Sequence, residues 1–181
     1  MIKLIEKNKE TIVLFDMDGT LTEARREISA EMIKTLDIIS DSCKIGIVSG
    51  SPYEYIKQQL SFLWAPRKNK TNYILMPCNG TQVYTWDLNK SDFECQYSVD
   101  IKSFLKSKIG SPDAAKQKFN SLISSILSKQ IELINEIDQL EVSGNFLSYR
   151  GSMLNWSMIG RDADHSLREK FKKIDVELKI R

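Results

Sequence analysis

The sequence predicts an α/β fold, a parallel-sheet core followed by an α+β module. Two observations carry this. Short apolar runs, TIVLF (11–15), KIGIV (44–48) and YILMP (73–77), alternate with amphipathic stretches, and alternating strands and helices build a parallel sheet with right-handed crossovers. After Gly80 the pattern changes to paired strand signals and long helical stripes. The expected division is therefore a core over residues 1–82 and an α+β module over 83–181.

The elements follow in order. TIVLF is a continuous apolar run, as expected of a strand buried on both faces. ISAEMIKTLDII places Met32, Leu36 and Ile39 at helical spacing, with Ser29 as N-cap. KIGIV leads into SGSPYEYIKQQL, where Ser51, Pro52 and Glu54 read as a capping box with proline at the first helical position. YILMP is closed by the turn pair Asn79-Gly80. TQVYTW and FECQYSV, separated by DLNKSD, read as an antiparallel pair. A long helix is expected from Ser111-Pro112-Asp113, with Phe119, Leu122, Ile126, Leu133 and Ile137 along one stripe. NFLSYR and MLNWSMI flank Gly151-Ser152, a two-residue hairpin signal. The last segment keeps Leu167, Phe171, Ile174 and Leu178 on one helical face.

Composition narrows the function classes. The chain has 181 residues, 41% hydrophobic and 28% charged, which fits a soluble globular protein. No apolar run approaches the ~20 residues of a membrane span. MIKLIEKNKE mixes acidic with basic residues and lacks an apolar core, unlike a secretory signal, so a cytoplasmic address is expected. Cys43, Cys78 and Cys95 are odd in number without metal-ligand spacing and read as free thiols. The single His165 excludes a His-rich metal site. A net charge of +2 without a basic stripe gives no case for nucleic acid. Anion binding must come from a few placed arginines.

The stretch LFDMDGTLTEAR (14–25) carries the chemistry. Side chains at i and i+2 of an extended segment point the same way, so Asp16 and Asp18 are expected in the crevice at the carboxyl end of the first strand, where open α/β sheets bind ligands. Two carboxylates there repel unless a cation or proton sits between them, and oxygen-only ligation suits Mg²⁺ together with a phosphate. A bare D-x-D pair reads equally as an Asx turn with Gly19 supplying the bend. The complete D-x-D-G-T-L-T after an apolar strand resembles motif I of the haloacid-dehalogenase-like phosphotransferases. That resemblance implies a Rossmannoid core with an inserted cap, Asp16 as nucleophile, Asp18 as general acid and base, and both as Mg²⁺ contacts, Asp18 through its backbone carbonyl. KIGIVSGS (44–51) resembles the second motif, which makes Ser49 and Ser51 candidates for binding the phosphoryl group. Asn79-Gly80 resembles the Asn-Gly at the family's junction from core to cap.

The segment FLSYRGSMLNWSMIGRDADHSLREKF narrows the reading, because it resembles the cap of eukaryotic-type phosphomannomutases. Arg150, Arg161 and Arg168 match arginines that grip the sugar phosphate there, and Arg25 matches a core arginine just past motif I. Gly151-Ser152 stands where the family usually has Asn-Gly. The resemblance implies interconversion of mannose 6-phosphate and mannose 1-phosphate through an aspartyl phosphate and a hexose bisphosphate, in the service of GDP-mannose biosynthesis. It also implies a homodimer through the cap and a cap that excludes water from the phosphorylated aspartate. In the family the core returns after the cap with further parallel strands, an acidic Mg²⁺-binding loop and a basic residue. No counterpart is expected in this chain, which reads as an N-terminal portion with both core and cap incomplete. The remaining alternatives are a sugar-phosphate phosphatase and a non-catalytic remnant.

Overall fold

The computed structural model describes residues 11–23 and 26–180. The chain forms two compact units, Met1–Val99 and Asp100–Arg181.

The first unit is built on a five-stranded sheet in the order β1-β2-β3-β4-β5. Strands β1 (Ile12–Asp16), β2 (Lys44–Val48) and β3 (Tyr73–Met76) run parallel, and β4 (Gln82–Asp87) and β5 (Asp92–Ser98) add an antiparallel hairpin. Helix α1 (Ala30–Ser40) connects β1 to β2, and α2 (Tyr53–Gln59) connects β2 to β3. Two right-handed crossovers that advance in the same direction put both helices on one face. On that face the register aligns Val13–Ile45–Tyr73 and Phe15–Ile47–Leu75. Ile45, Ile47, Tyr73 and Leu75 share one core with Leu36 of α1 and Ile56 and Leu60 of α2.

On the opposite face β1 is exposed, and this corrects the first strand expectation. Ile12 and Leu14 are 41% and 58% exposed, so β1 is buried on one face only. It lies at the sheet edge, and both crossovers leave its second face uncovered. Gly46 sits beside these side chains: a Cβ there would lie 2.4 Å from Leu14 Cδ2 and 2.7 Å from Met76 Cε. Leu14 and Met76 thus fold over the glycine and cover part of the sheet themselves.

The helix signals fared differently from one another. Ser29 caps α1, its hydroxyl accepting the Met32 amide at 3.2 Å. The capping box at Ser51 does not form. The N-cap is Pro52, whose ψ of 163° is extended and which makes no side-chain cap bond. With the helix starting at Tyr53, Ser51 lies one residue too early to reach the orphan amides.

The β4–β5 hairpin belongs to the first unit. β4 pairs with β3, Leu75 opposite Tyr84. Tyr84 stacks on Tyr53 at 4.1 Å, and Trp86 and Phe93 meet edge to face at 5.2 Å. Backbone pairing and aromatic packing thus hold the hairpin to the first compact unit, which ends at Val99.

The second unit is an α+β module of α4 (Ile101–Ile109), α5 (Pro112–Glu136), the β6 (Leu147–Tyr149) and β7 (Leu154–Trp156) hairpin, and α6 (His165–Leu178). Ser111 caps α5 by accepting the Ala114 amide at 3.3 Å, and Pro112 takes the first turn, as the sequence predicts. The Arg150 amide donates to Met153 at 2.9 Å and closes the loop at Gly151-Ser152. Buried Gln130 ties α5 to the hairpin, donating to the Met158 carbonyl at 2.9 Å and accepting from the Trp156 indole at 2.7 Å. Ile159, Ala163 and Phe171 form a small core with Leu140, Met158 and Leu167.

Asp100 begins this unit with two contacts. Its carboxylate caps α4 through the Ser103 amide at 2.7 Å and accepts from the Tyr149 hydroxyl at 2.7 Å. The Ser103 amide first, then Tyr149, hold its pKa below the ordinary carboxylate value. Desolvation and the bond to Asp100 push Tyr149 up to about 12. A depressed acid contributes stability that is present above its unfolded pKa of about 3.9 and lost as pH falls through the folded value. A raised tyrosine contributes stability that is present below its unfolded value of about 10 and lost as pH rises through the folded one. Asp100→Ala is expected to lower the unit's stability by about 1 kcal/mol near neutral pH and to flatten both limbs. Denaturant unfolding followed across pH checks this.

Candidate active site

The candidate site forms at the carboxyl ends of β1, β2 and β3. The register places Asp16 opposite Val48 and Val48 opposite Met76, so residues just beyond these positions share one sheet edge. Asp16 is exposed, Met17 is completely buried and Asp18 is half-buried. This alternation turns the two carboxylates away from the core that takes Met17.

The loop after Asp16 is organised around one carbonyl. Met17 oxygen accepts the amides of Leu21 and Thr22, both at 3.0 Å, and the Thr22 hydroxyl at 3.3 Å. Gly19 makes the bend at φ 85° and donates to the Thr22 carbonyl at 2.7 Å. The Thr22 hydroxyl, 6% exposed, also contacts buried Gln59 Oε1 at 3.1 Å. The T-L-T half of the motif is thus the internal scaffold of the aspartate loop. Gln59 completes it from α2, a contribution that carries no local sequence signal.

The two serines separate by environment. Ser49 is 2% exposed, and its Oγ accepts the Ser51 amide at 3.0 Å. Ser51 is half-buried and, released from helix capping, sits at the loop surface. A short irregular turn, α3 (Pro77–Gly80), clamps this loop. The Asn79 amide donates to the Ser49 carbonyl at 2.8 Å and the Cys78 amide to the Ser51 carbonyl at 3.0 Å. Cys78 and Asn79 are both left-handed, at φ 52° and 58°, a conformation costing of order 1 kcal/mol or more for a non-glycine residue. Asn79-Gly80 signals a turn in the sequence, but nothing local marks Cys78.

Asp16, Asp18, Ser49 and Ser51 are thus on one edge of one sheet. Arg25 lies outside the described residues. The other arginines belong to the second unit. Arg168, in the first turn of α6, donates from Nε to the Ala163 carbonyl and from a terminal nitrogen to the Arg161 carbonyl, both at 2.9 Å. These bonds fix the loop that carries Arg161, and the Arg161 amide donates to Asn145 at 3.2 Å. Arg150 is at the turn of the β6–β7 hairpin, the opposite end from Asn145 and Arg161. The structure therefore couples Arg161 to Arg168 and sets Arg150 apart from them.

Among the described residues no group of three or more His, Cys, Asp or Glu forms a metal cluster. Two oxygen ligands, Asp16 and Asp18, fit a Mg²⁺ that takes one or two carboxylates and completes its shell with water and phosphate. Cys43, Cys78 and Cys95 are free thiols. No helix among the described residues is long and apolar enough to cross a membrane.

Comparison with known proteins agrees with this framework. The family description "Eukaryotic phosphomannomutase" matches residues 32–181. Phosphomannomutase 2 of Dictyostelium discoideum is 34% identical over 98% of this chain and 62% of its own length. The phosphomannomutase of Saccharomyces cerevisiae is 34% identical over 97% of this chain and 60% of its own. The chain thus spans about 60% of the length of these relatives. In fold it is similar to the IMP-nucleotidase of Plasmodium falciparum, with a TM-score of 0.52 and 12% identity over 93% of this chain and 41% of that one. By its sequence and its α/β framework, the chain belongs to the eukaryotic phosphomannomutase family.

Proposed function

We propose that the protein interconverts mannose 6-phosphate and mannose 1-phosphate, supplying the 1-phosphate for GDP-mannose biosynthesis in the cytoplasm. The observation that carries this reading is the pair Asp16 and Asp18 flanking buried Met17 at the sheet edge that also holds the serine loop. Asp16 attacks the phosphorus of a hexose bisphosphate, and Asp18 gives the leaving hydroxyl its proton. Asp18 then takes the proton from the hydroxyl of the incoming hexose monophosphate, which accepts the phosphoryl group from Asp16. Asp16 and the backbone carbonyl of Asp18 would hold a Mg²⁺, which would supply charge neutralisation for the phosphoryl oxygens.

Ser51, at the loop surface, donates to a phosphate oxygen, while Ser49 shapes the loop beneath it. Arg161, on the loop that Arg168 fixes, and Arg150, at the other end of the hairpin, are separate candidates for the phosphate that is not reacting, since guanidinium groups bind phosphate bidentately and stay charged. Leu127, Ile131 and Ile134 leave an exposed apolar side along α5, which supports a homodimer formed through this helix.

A coupled assay tests the reading, supplying mannose 1-phosphate, Mg²⁺ and a hexose bisphosphate activator. Formation of mannose 6-phosphate that depends on the bisphosphate is the expected result. Release of inorganic phosphate without isomerisation would instead select a sugar-phosphate phosphatase, in which water takes the second step.

A further inference from the structure

The second unit holds a cleft that phosphate transfer at Asp16 does not use. Helices α4 and α5 are joined by Gly110 and Ser111 alone, so they fold back as a hairpin with a groove between them. Lys102, Ser103 and Lys106 line one wall, and Pro112, Ala115, Lys116, Phe119 and Asn120 line the other, around a volume of about 450 Å³. The spacing explains the walls. Positions 112, 115, 116, 119 and 120 recur at three and four residues, which is one face of a helix. Ligand clefts range from about 300 to 1,000 Å³, so the space suits a small organic molecule.

The chemistry of the lining is specific. Its floor is apolar, with Ala115 and Phe119 5% and 7% exposed. Its rim carries three ammonium groups and no carboxylate. Some lysines elsewhere pair with acids, Lys90 with Glu94, Lys129 with Glu132, Lys170 with Glu141 and Lys172 with Glu169, while others such as Lys34 and Lys118 do not among the described residues. Among those residues no such ion pair engages Lys106 or Lys116, whereas Lys102 lies near enough to the Asp100 carboxylate to help lower its pKa. The Lys102 ammonium also lies 5.0 Å from the Phe119 ring centre and 4.9 Å from that of Tyr149. Like charges collected around an apolar floor repel one another, and an anion relieves that repulsion. A ring seated against Phe119 would bury its apolar surface while its charged end meets the lysines.

We propose that this cleft binds a small aromatic phosphomonoester, its ring on Phe119 and its phosphate between Lys106 and Lys116, with Lys102 holding the rings in place. A pyranose offers a smaller and less continuous apolar face than a planar aromatic ring, so the floor favours an aromatic phosphate over the hexose phosphate proposed above.

The test titrates the protein with AMP, phenyl phosphate, adenosine and inorganic phosphate, followed by backbone amide NMR shifts. AMP, phenyl phosphate or both should shift amides across 102–120 and bind about tenfold or more tightly than adenosine or phosphate alone. Preference for AMP identifies a nucleotide as the ligand, and equal binding identifies aromatic phosphates in general. The double substitution Lys106→Glu with Lys116→Glu should weaken that binding about tenfold or more, and Lys106→Gln with Lys116→Gln by less. Lys90→Glu, on the β4–β5 hairpin of the first unit, should leave it unchanged. These lysines are exposed, so the variants should keep the wild-type Tm. Unchanged affinity in the charge-reversed variant overturns the proposal. So do shifts confined to residues 16–51, or inorganic phosphate binding as tightly as AMP.

Discussion

Replacing Asp16 with Asn is expected to reduce phosphoryl transfer by about 10⁴-fold or more while leaving the fold intact. The magnitude follows from what removing a nucleophile costs enzymes that act through a covalent intermediate. The fold survives because Asp16 is exposed and the loop hangs on its neighbour. Met17 is fully buried, its amide donates to Val48 at 3.2 Å, and its carbonyl gathers Leu21 and Thr22. Asp18→Asn separates the two roles. It should still allow phosphate to reach Asp16 from a hexose bisphosphate, but turnover should fall by about 10²–10⁴, the usual worth of a positioned acid and base. Single-turnover phosphorylation of the protein beside steady-state turnover measures both. If Asp16→Asn retained transfer, the assignment of the nucleophile would be wrong.

Gly160→Ala is expected to cost about 3 kcal/mol or more, and for a reason independent of catalysis. Gly160 has φ 89°, and a Cβ there would lie 2.0 Å from the Gly144 carbonyl oxygen and 2.7 Å from the Gly144 amide nitrogen. Both are backbone atoms and cannot swing away. Overpacking and backbone strain therefore add. The segment is held from the same side, since Ser143 donates its amide and hydroxyl to the Ile159 carbonyl at 2.9 and 3.0 Å. The small core of Ile159, Ala163 and Phe171 lies beside the strain, and Arg161 follows directly. Gly151→Ala is the control. Its φ of 76° is similar, but nothing lies within 4 Å of the added Cβ, so a cost of only about 1 kcal/mol is expected. Denaturant unfolding of the two variants should separate them clearly. Equal losses would mean that φ alone, and not the close approach to Gly144, makes glycine necessary at 160.

Which parts were legible in the sequence follows from the range of the forces involved. Strands β2 and β3, the Ser29 cap, the start of α5 at Ser111-Pro112 and the turn at Gly151-Ser152 all depend on neighbours a few residues away, and local pattern determined them. So did the D-x-D-G-T-L-T motif, because the bend at Gly19 and the scaffold of Thr22 around Met17 close within one loop. The motif and the arginine-bearing segment together were enough to point to the phosphomannomutase family.

Other features needed the chain folded. An apolar run cannot report how many of its faces are covered, so TIVLF reads as a buried strand although handedness puts both crossover helices on one side of it. A capping signal cannot report where the helix starts, and the extended Pro52 moves that start past Ser51. The β4–β5 hairpin joins the first unit through bonds to β3 and rings around Tyr53, contacts between residues far apart in sequence. The left-handed Cys78 and Asn79 pair is stable only because the loops of Ser49 and Ser51 accept its amides. The sequence by itself therefore determined the order of the main elements and supplied the Asp16–Asp18 pair on which the proposed phosphate chemistry rests. Tertiary structure decided which serine faces outward, which strand face stays bare and which arginines stand together, because long-range pairing and handedness set these.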